Sequence, residues 1–308
     1  MSLTIPDHYQ VKYTKGWEHL AQQATNRFKP FVSVMEGCTG KLVTFDQIGT
    51  TSFAPITQRM GATQLDEIDT AKRSMRQTYY SKAIGFDEFD DQLLADNSLP
   101  TSETMQALKY AAERTTEAVI ISGADGVNYT GEDSLTATTL PSSQQVAVDY
   151  TPAGGGSNSG LTIDKIIRTA GIFRTNEVWG QDADGVDTGA CLAVSNAQLE
   201  NLLRLEKVTS GDYVGDLTRL LNGEVDQFLG FKIIRSEQLP VDGSSVRSCL
   251  AWVKSGVKLG VWQNPSMRLS IRDDRSEALQ IRAKLGIGAT RTQEEKVVRV
   301  YADETTAA

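Results

Sequence analysis

The longest helical pattern in the chain spans residues 101–122. Pro100 disfavours helix before it, Thr101 can cap the first turn, and Gly123 is expected to end the helix. Apolar or small side chains recur every three or four residues on one face, at Met105, Leu108, Ala112, Thr115 and Val119. With a rise of ~1.5 Å per residue, this pattern predicts a single rod about 30 Å long.

A different pattern precedes this helix and predicts two long strands. Residues 41–48 alternate between apolar and polar side chains, and residues 52–57 are expected to continue the strand after a break at Gly49. Residues 74–84 are predicted to return as the partner strand of one ribbon. An isolated two-stranded ribbon is at best marginally stable in water. We therefore expect the ribbon to lie on the body of its own chain or on a neighbouring copy.

The first residues have no clean period, which indicates an extended arm. Within this arm, residues 17–28 carry an apolar stripe that predicts a short amphipathic helix, ended by Pro30. Trp17 begins the stripe, and it is one of our candidates for a contact with another copy of the chain.

Helical and extended patterns alternate after the long helix and predict a compact α+β unit. Residues 151–160 are rich in Gly and Ser and are expected to form a loop. We predict a helix over residues 161–175 that is capped by Thr162 and buries one face, which comprises Ile163, Ile166, Ile167 and Ala170. Another helix is predicted over residues 196–207, and strands are predicted over residues 145–150, 189–195, 230–235 and 247–253. Residues 266–302 are rich in strand patterns.

Composition narrows the function classes. The 308 residues can bury a sizeable core, and 39 Asp and Glu against 31 Lys and Arg give a formal net charge of -8. This excess of negative charge argues against a protein that binds nucleic acid over its whole surface, although not against one that encloses nucleic acid. Three distant cysteines and two histidines give little material for a disulfide framework or a metal site, and we predict no cofactor. No secretion signal and no apolar run of 18 residues is present, so we expect no membrane partner.

Two charged blocks flank the returning strand. The cations come first and the carboxylates follow: Lys72, Arg73 and Arg76, then Asp87, Glu88, Asp90 and Asp91. Taken singly, each residue is most simply a solvated surface charge. Taken together, the blocks lead us to hypothesise that opposite charges meet across copies of the chain.

One motif offers an enzymatic alternative. A phosphate-binding P-loop needs Gly, four residues, Gly, then Lys and Ser or Thr. Gly155, Gly160 and Thr162 fit this spacing, but Leu161 stands where the lysine is required. We therefore interpret residues 154–162 as a loop that leads into a capped helix. A nucleotide-binding enzyme built on this loop remains the alternative from another class, although we predict no enzyme.

Short segments along the chain resemble those of the major capsid proteins of tailed bacteriophages, which have the Hong Kong ninety-seven type fold. Each segment is weak alone, but their order in a chain of this length is fairly specific. They lie at residues 5–9, 46–49, 131–133, 161–162, 176–178, 222–224, 228–231, 251–256, 288–291 and 296–298.

The resemblance implies an α+β tailed-phage major capsid fold with five parts. These are an N-terminal arm over residues 1–34, an extended β-ribbon loop over 35–90, and a long spine helix with the first part of a peripheral domain over 91–150. An axial domain over 151–265 and the C-terminal part of the peripheral domain over 266–308 complete it. The ribbon would then lie across a neighbouring subunit.

The resemblance also implies a function and partners. Copies of the chain would form hexamers and pentamers that tile an icosahedral shell in the virion, around double-stranded DNA that is bound without sequence specificity. No fused domain of about a hundred residues precedes the arm, so we expect a separate scaffolding protein. A portal and a decoration protein are further expected partners. The alternative with the same fold is the shell of a cellular nanocompartment that encloses a cargo enzyme.

Overall fold

The computed structural model describes residues 20–55, 65, 67–87, 101–131, 133–179, 189–204, 227–275 and 277–305. The α-helices of this part are α1 (Thr101–Asp125), α2 (Ile163–Thr175) and α3 (Asn196–Arg204). The strands are β1 (Ser33–Glu36), β2 (Leu42–Ile48), β3 (Thr70–Arg76), β4 (Thr78–Phe86), β5 (Asn128–Thr130), β6 (Thr136–Thr138), β7 (Gln145–Val146), β8 (Ala190–Val194), β9 (Gln227–Phe228), β10 (Phe231–Arg235), β11 (Val246–Val253), β12 (Val257–Arg272), β13 (Ala278–Arg291) and β14 (Val297–Asp303). They form one six-stranded and two four-stranded sheets, which agrees with the predicted α+β class.

The six-stranded sheet, in the order β7-β14-β11-β8-β10-β9, has a hydrophobic cluster on each face. Cys191 and Trp252 belong to the cluster that includes residues of α1, whereas Leu192 and Ala251 belong to the cluster that includes residues of α2. Successive side chains of a strand point to opposite faces, so a sheet covered on both sides needs a continuous apolar run. This explains why the run over residues 189–195 correctly predicts a buried strand.

The sheet β1-β12-β13-β4 supports α1. A Cβ atom on Gly123 would lie 2.6 Å from the Cβ atom of Ala289 on β13, so only glycine allows the helix to approach the sheet this closely. The expectation that Gly123 ends the helix is therefore wrong, because α1 continues to Asp125. Gly123 is a packing residue in the last turn of the helix.

Two strands change the grouping of segments that was expected from the sequence. β12 begins at Val257, so the division expected between residues 265 and 266 falls inside this strand. β14 joins the six-stranded sheet between β11, from the segment assigned to the axial domain, and β7, from the segment assigned to the peripheral domain. The division of the chain into domains stays a prediction, and four of the six strands in this sheet lie in the segment assigned to the axial domain.

The ribbon is built differently from the expectation. The prediction of a single returning strand over residues 74–84 is wrong, because the strand is interrupted at Gln77. The first part, β3, pairs with β2 and β5, and the second part, β4, pairs with β13. Residues 52–55 are not a strand. The base of the ribbon lies on the body of its own chain, which is one of the two placements expected from the sequence. Met75 is buried there, and a Cβ atom on Gly260 of β12 would lie 2.1 Å from its Cε atom.

The arm is extended where a helix was expected. Residues 20–28 are not helical, and residues 17–19 of the predicted helix lie outside the described residues. The Asn26 side-chain oxygen accepts hydrogen bonds from the backbone N–H groups of Phe28 and Lys29, at 2.8 and 2.9 Å. Gln22 accepts a 2.7 Å hydrogen bond from Arg114 of α1. Polar contacts with α1 therefore replace the regular helical hydrogen bonds.

Helix α2 confirms the predicted cap and corrects its buried face. The Thr162 hydroxyl accepts a hydrogen bond from the backbone N–H of Lys165. Ile166 and Ala170 are buried as predicted, but Ile167 is 54% exposed, and Lys165 is fully buried in its place. The strand expected over residues 145–150 extends only over Gln145–Val146.

Two arginines hold the C-terminal end of α1. The Arg291 guanidinium is fully buried and donates to the carbonyl oxygens of Ala124 at 2.7 Å and Gly126 at 3.0 Å. Arg299 forms an ion pair with the Asp125 carboxylate and also donates to the Asp125 carbonyl oxygen at 2.8 Å. The last carbonyl groups of a helix have no partner inside it, and its C-terminus favours positive charge. These arginines therefore terminate the helix through groups that are distant in sequence.

Replacing Arg291 by Met should lower the free energy of unfolding by about 3–5 kcal/mol, because buried carbonyl groups lose their charged donor. Urea denaturation of the unassembled protein measures this change. Arg282→Met on the same strand is the matched control, since Arg282 is exposed and should change stability by no more than about 0.5 kcal/mol. Equal effects of both substitutions would contradict the assignment of Arg291 as the helix anchor.

Candidate contact surface between subunits

The predicted contact residue Arg73 forms an ion pair within its own chain. It is buried on β3, and its two terminal nitrogens donate to the two carboxylate oxygens of Glu294, at 2.9 and 2.7 Å. Arg291 Nε lies 3.6 Å from the same carboxylate, so Glu294 is shared between two buried cations. This bidentate pair fixes the base of the ribbon to the turn before β14. A contact between Arg73 and another copy stays a prediction, but the guanidinium would have to leave this pair to make it.

The other two cations of the block remain at the surface. Lys72 is exposed, lies opposite Asp46 in the strand register, and makes no side-chain hydrogen bond or ion pair within the described ranges. Arg76 is exposed, lies over the Tyr129 ring at 4.3 Å and donates to the Ser134 carbonyl oxygen at 3.0 Å. Both stay candidates for contact between copies.

The predicted acidic block is only partly described. Asp87 is exposed directly after β4. Four of the predicted contact residues lie outside the described residues: Trp17, Glu88, Asp90 and Asp91. Their roles therefore stay predictions.

The far end of the ribbon exposes a surface that the sequence analysis did not identify. We define the ribbon end as residues 48–55, 65 and 67–69. It carries four large apolar side chains that are at least half exposed: Ile48, Phe53, Leu65 and Ile68. Its carboxylates Glu67 and Asp69 are exposed and have no side-chain partner in the described part of the chain. Apolar side chains grouped in this way on a protein surface are typical of an interaction site.

A second surface lies on the outer part of the β4-β13-β12 sheet. We define the distal sheet as residues 80–86, 266–272 and 278–285. Arg268 lies directly opposite Arg282 in the register, and Lys284 is two residues along the same strand, so the three cations share one face. All three are exposed, and none has a hydrogen bond or ion pair among the described residues. Like charges placed directly opposite each other destabilise a strand pair.

The sequence contained a signal for this second surface. In residues 266–272 and 279–285, the apolar positions alternate with Ser, Gln, Arg and Lys, which is the pattern of a sheet with two different faces. The opposite face exposes Leu269 and Ile271 by 49% and 65%. Strand content alone was predicted here, and the charged face was missed.

The glycine-rich loop is held by a buried lysine. The Lys165 ammonium donates to four backbone carbonyl oxygens, which belong to Val148, Ser159, Gly160 and Tyr301 and lie at 2.7–3.1 Å. A P-loop turns backbone N–H groups toward a phosphate. In this loop the carbonyl groups of Ser159 and Gly160 turn toward a cation instead. The loop therefore fits an internal anchor between α2 and β14, and the geometry removes the support for a nucleotide site.

The structure also bears on metal sites and membrane-spanning helices. Among the described residues, no group of three or more His, Cys, Asp and Glu side chains is arranged to hold a metal ion. The Asp274 carboxylate accepts two hydrogen bonds from Arg272, at 2.6 and 2.5 Å, and this bonding lowers the pKa of Asp274 to about 2. No described helix is both long and apolar enough to cross a membrane.

Comparisons with known proteins agree on one family. The sequence model of the family described as "Phage capsid protein" matches residues 5–304. The fold is similar to the capsid structure of cyanophage P-SCSP1u, with a TM-score of 0.72 at 16% identity over 96% of this chain and 93% of that chain. It is also similar to the cyanophage Pam1 capsid asymmetric unit, with a TM-score of 0.71 at 9% identity over 98% and 99% of the two chains. For a chain of Mycobacterium phage Che8, the TM-score is 0.62 at 17% identity over 98% of each chain. No curated protein sequence matches.

Charge reversal should destabilise the subunit at Arg73 but not at Lys72. Arg73→Glu would place a buried carboxylate next to Glu294, so we expect the free energy of unfolding to fall by at least about 3 kcal/mol. Lys72→Glu on the exposed face of the same strand should change it by no more than about 0.5 kcal/mol. Urea denaturation of the unassembled subunit compares the two. Retention of full stability by Arg73→Glu would show that the buried pair does not anchor the ribbon.

The Lys165 anchor should have a pH signature. Burial lowers the pKa of Lys165 from 10.5 to about 8, although Cys249, Asp149 and Asp303 oppose this shift. Between pH 8 and 10.5 the unfolded chain binds a proton that the folded chain does not, so this group's contribution to the free energy of unfolding increases with pH. Lys165→Met should remove that increase, and it should also lower stability at pH 7 by about 1–3 kcal/mol through unpaired carbonyl groups.

The measurement is urea denaturation of both proteins at pH 7 and pH 9.5. Lys254→Met is the control, because Lys254 is exposed and its loss should leave the pH dependence unchanged. The same pH dependence in the wild type and in Lys165→Met would contradict the assignment.

Proposed function

The chain belongs to the phage capsid protein family, and we propose that its copies assemble through hexamers and pentamers into an icosahedral shell that encloses double-stranded DNA. The observation that carries this proposal is the family match over residues 5–304. As a member of that family, the protein is a major capsid protein, and its location is the virion capsid. The α+β fold and the capsid structures to which it is similar agree with this assignment.

The two surfaces described above support assembly by contact between copies. The base of the ribbon is fixed by buried groups such as Arg73 and Met75, whereas the ribbon end leaves apolar side chains in water. Burying apolar surface is worth roughly 25 cal/mol per Å². We propose that the ribbon end lies on a neighbouring subunit, and that Lys72 and Arg76, which lie nearer the base of the ribbon, also contact another copy. A fold that is anchored at the base and exposed at the end can present this segment without unfolding.

The charge of the chain supports a container for DNA. A formal net charge of -8 disfavours tight, sequence-independent binding to the phosphate backbone over most of the surface. We propose that the shell encloses DNA without reading its sequence. We further propose that assembly in the host cytoplasm uses a separate scaffolding protein and a portal, with a decoration protein as a further partner.

The test of this function is the particle formed by the purified protein. Size-exclusion chromatography with light scattering should give megadalton particles, and negative-stain microscopy should show closed shells or rings of six and five. Nuclease-protected DNA in particles from an infected host would support the phage assignment. Particles that contain a cargo enzyme and no DNA would favour a cellular nanocompartment. A stable monomer that does not assemble even with the other virion proteins present would contradict the proposal.

A further inference from the structure

Strand β4 has one edge without a partner strand. It pairs with β13 on one side and is the last strand of its sheet, so the backbone N–H and C=O groups on its other side face no strand among the described residues. Seven of its nine residues are exposed, and the strand contains no proline and a single charged side chain, that of Lys82. An open edge of this length is a template for pairing with another chain, and proteins usually block it with several charges, proline or a bulge. The free edge of β4 is therefore suited to receive an added strand.

A groove runs beside this edge, between β4 and α1. Its volume is about 390 Å³, and Thr78 and Tyr80 line it from the strand. Ala118, Val119 and Ser122 line it from the helix, where Ala118 and Ser122 are exposed, so the groove is open to solvent. Successive side chains of a strand point to opposite faces, so a strand added to β4 would turn every second side chain toward this groove.

Two cations border the groove. Arg76 lines it and is held over the Tyr129 ring at 4.3 Å. Lys82 lies on the same face of β4 as Thr78 and Tyr80, because residues two and four positions apart share a face. Lys82 is exposed and has no hydrogen bond or ion pair in the part of the chain that the structure describes, and the described residues that line the groove include no Asp or Glu. The groove therefore favours an occupant that carries carboxylates together with apolar side chains.

Lys82 also disfavours the pairing of β4 with a second copy of itself. It is the central residue of Thr78–Phe86, so two copies of the strand paired about a twofold axis at their centre would place two Lys82 side chains opposite each other. Like charges that lie directly opposite destabilise a strand pair, and proteins use lysine on edge strands to prevent such pairing. A carboxylate at the central position of a different segment would instead form a cross-strand ion pair.

We propose that the free edge of β4 binds an extended, acidic segment of a second virion protein. The segment adds a strand to the sheet, directs apolar side chains into the groove beside α1 and places carboxylates near Lys82 and Arg76. In this mode of recognition, main-chain hydrogen bonds supply affinity and alternate side chains supply specificity. The inference rests on the proposed shell function for the source of the partner, whereas the chemistry of the edge is measured on the unassembled subunit.

A peptide-binding experiment tests this chemistry. The probe is a fluorescein-labelled peptide of nine residues that alternates valine and threonine, with glutamate in place of the central and the last valine. Its binding to the unassembled wild-type subunit is followed by fluorescence anisotropy. A version with lysine in place of both glutamates should bind on the order of tenfold more weakly, because like charges then meet. Of two versions that are N-methylated at alternate amide groups, only one should lose binding, since only one set of amides of an added strand faces β4.

Variants of the subunit locate the site. Lys82→Glu should weaken binding of the glutamate peptide on the order of tenfold and strengthen binding of the lysine peptide. Ala118→Phe should weaken binding of both peptides, because the larger side chain fills the groove. Lys109→Glu, which is exposed on α1 and does not line the groove, is the matched control and should bind as the wild type does. Lys82 and Ala118 are exposed, so the urea midpoints should match that of the wild type. If Ala118→Phe loses stability, the charge exchange at Lys82 decides.

Hydrogen exchange identifies which chain covers the edge in the particle. Half of the β4 amide groups, those that do not bond to β13, should exchange rapidly in shells assembled from this protein alone. The same amides should be protected in complete virions from an infected host, where the second protein is present.

Several outcomes would overturn the inference and leave the shell function intact. Absence of peptide binding, equal binding of the glutamate and lysine peptides, or loss of binding by both or neither of the N-methylated versions would exclude the proposed strand. Protection of residues 78–86 in shells of this protein alone would assign the edge to another copy, and rapid exchange in virions would leave it uncovered. Failure of the wild type to assemble would instead contradict the proposed function, while peptide binding to the unassembled subunit would still decide whether the edge receives an acidic strand.

Discussion

The shared carboxylate of Glu294 is the interaction on which the arrangement of the subunit depends. It binds Arg73 of the ribbon through two hydrogen bonds, and it lies beside Arg291, which in turn closes the end of α1. The base of the ribbon, the end of the long helix and the turn before β14 therefore meet at one half-buried carboxylate. Removing one member of such a set leaves an uncompensated buried charge, which proteins tolerate poorly. The ribbon, which has too little apolar surface to be stable alone, acquires a fixed base in this way.

Two other buried charges have the same role elsewhere. Lys165 joins the glycine-rich loop to β14 through backbone carbonyl groups. Glu117 on α1 is fully buried and accepts hydrogen bonds from the Gln23 side chain and the Ser236 hydroxyl, which ties the arm and the end of β10 to the helix. Hydrophobic burial is non-directional, whereas a buried charge is stable only in one geometry. The charged groups thus fix how the layers are joined, and the apolar clusters supply the driving force.

Local patterns predicted the elements whose causes are local. The start of α1 follows from Pro100, and the continuous apolar run of β8 follows from a sheet that is covered on both faces. The wrong predictions concern residues whose partners lie far away in the sequence. Gln77 divides the returning strand because β5 and β13, far along the chain, offer separate partners to its two halves. Lys165 takes the buried position expected for Ile167 because its partners include Tyr301. Arg73 looked like a surface cation because Glu294, its partner, lies about 220 residues away.

The candidate contact surfaces were harder to predict than the fold because they are defined by the groups that the subunit leaves without partners. A cation in a sequence has no visible counter-charge, so only the register shows that Arg268 and Arg282 oppose each other while Arg73 is paired. An isolated subunit bears that repulsion and the exposed apolar ribbon end as free-energy costs. It can do so because its buried ion pairs and two-faced core hold the fold independently of them. These groups lie at the far ends of a ribbon and a hairpin, away from that core, so a partner that covers them would not require the subunit to be rebuilt.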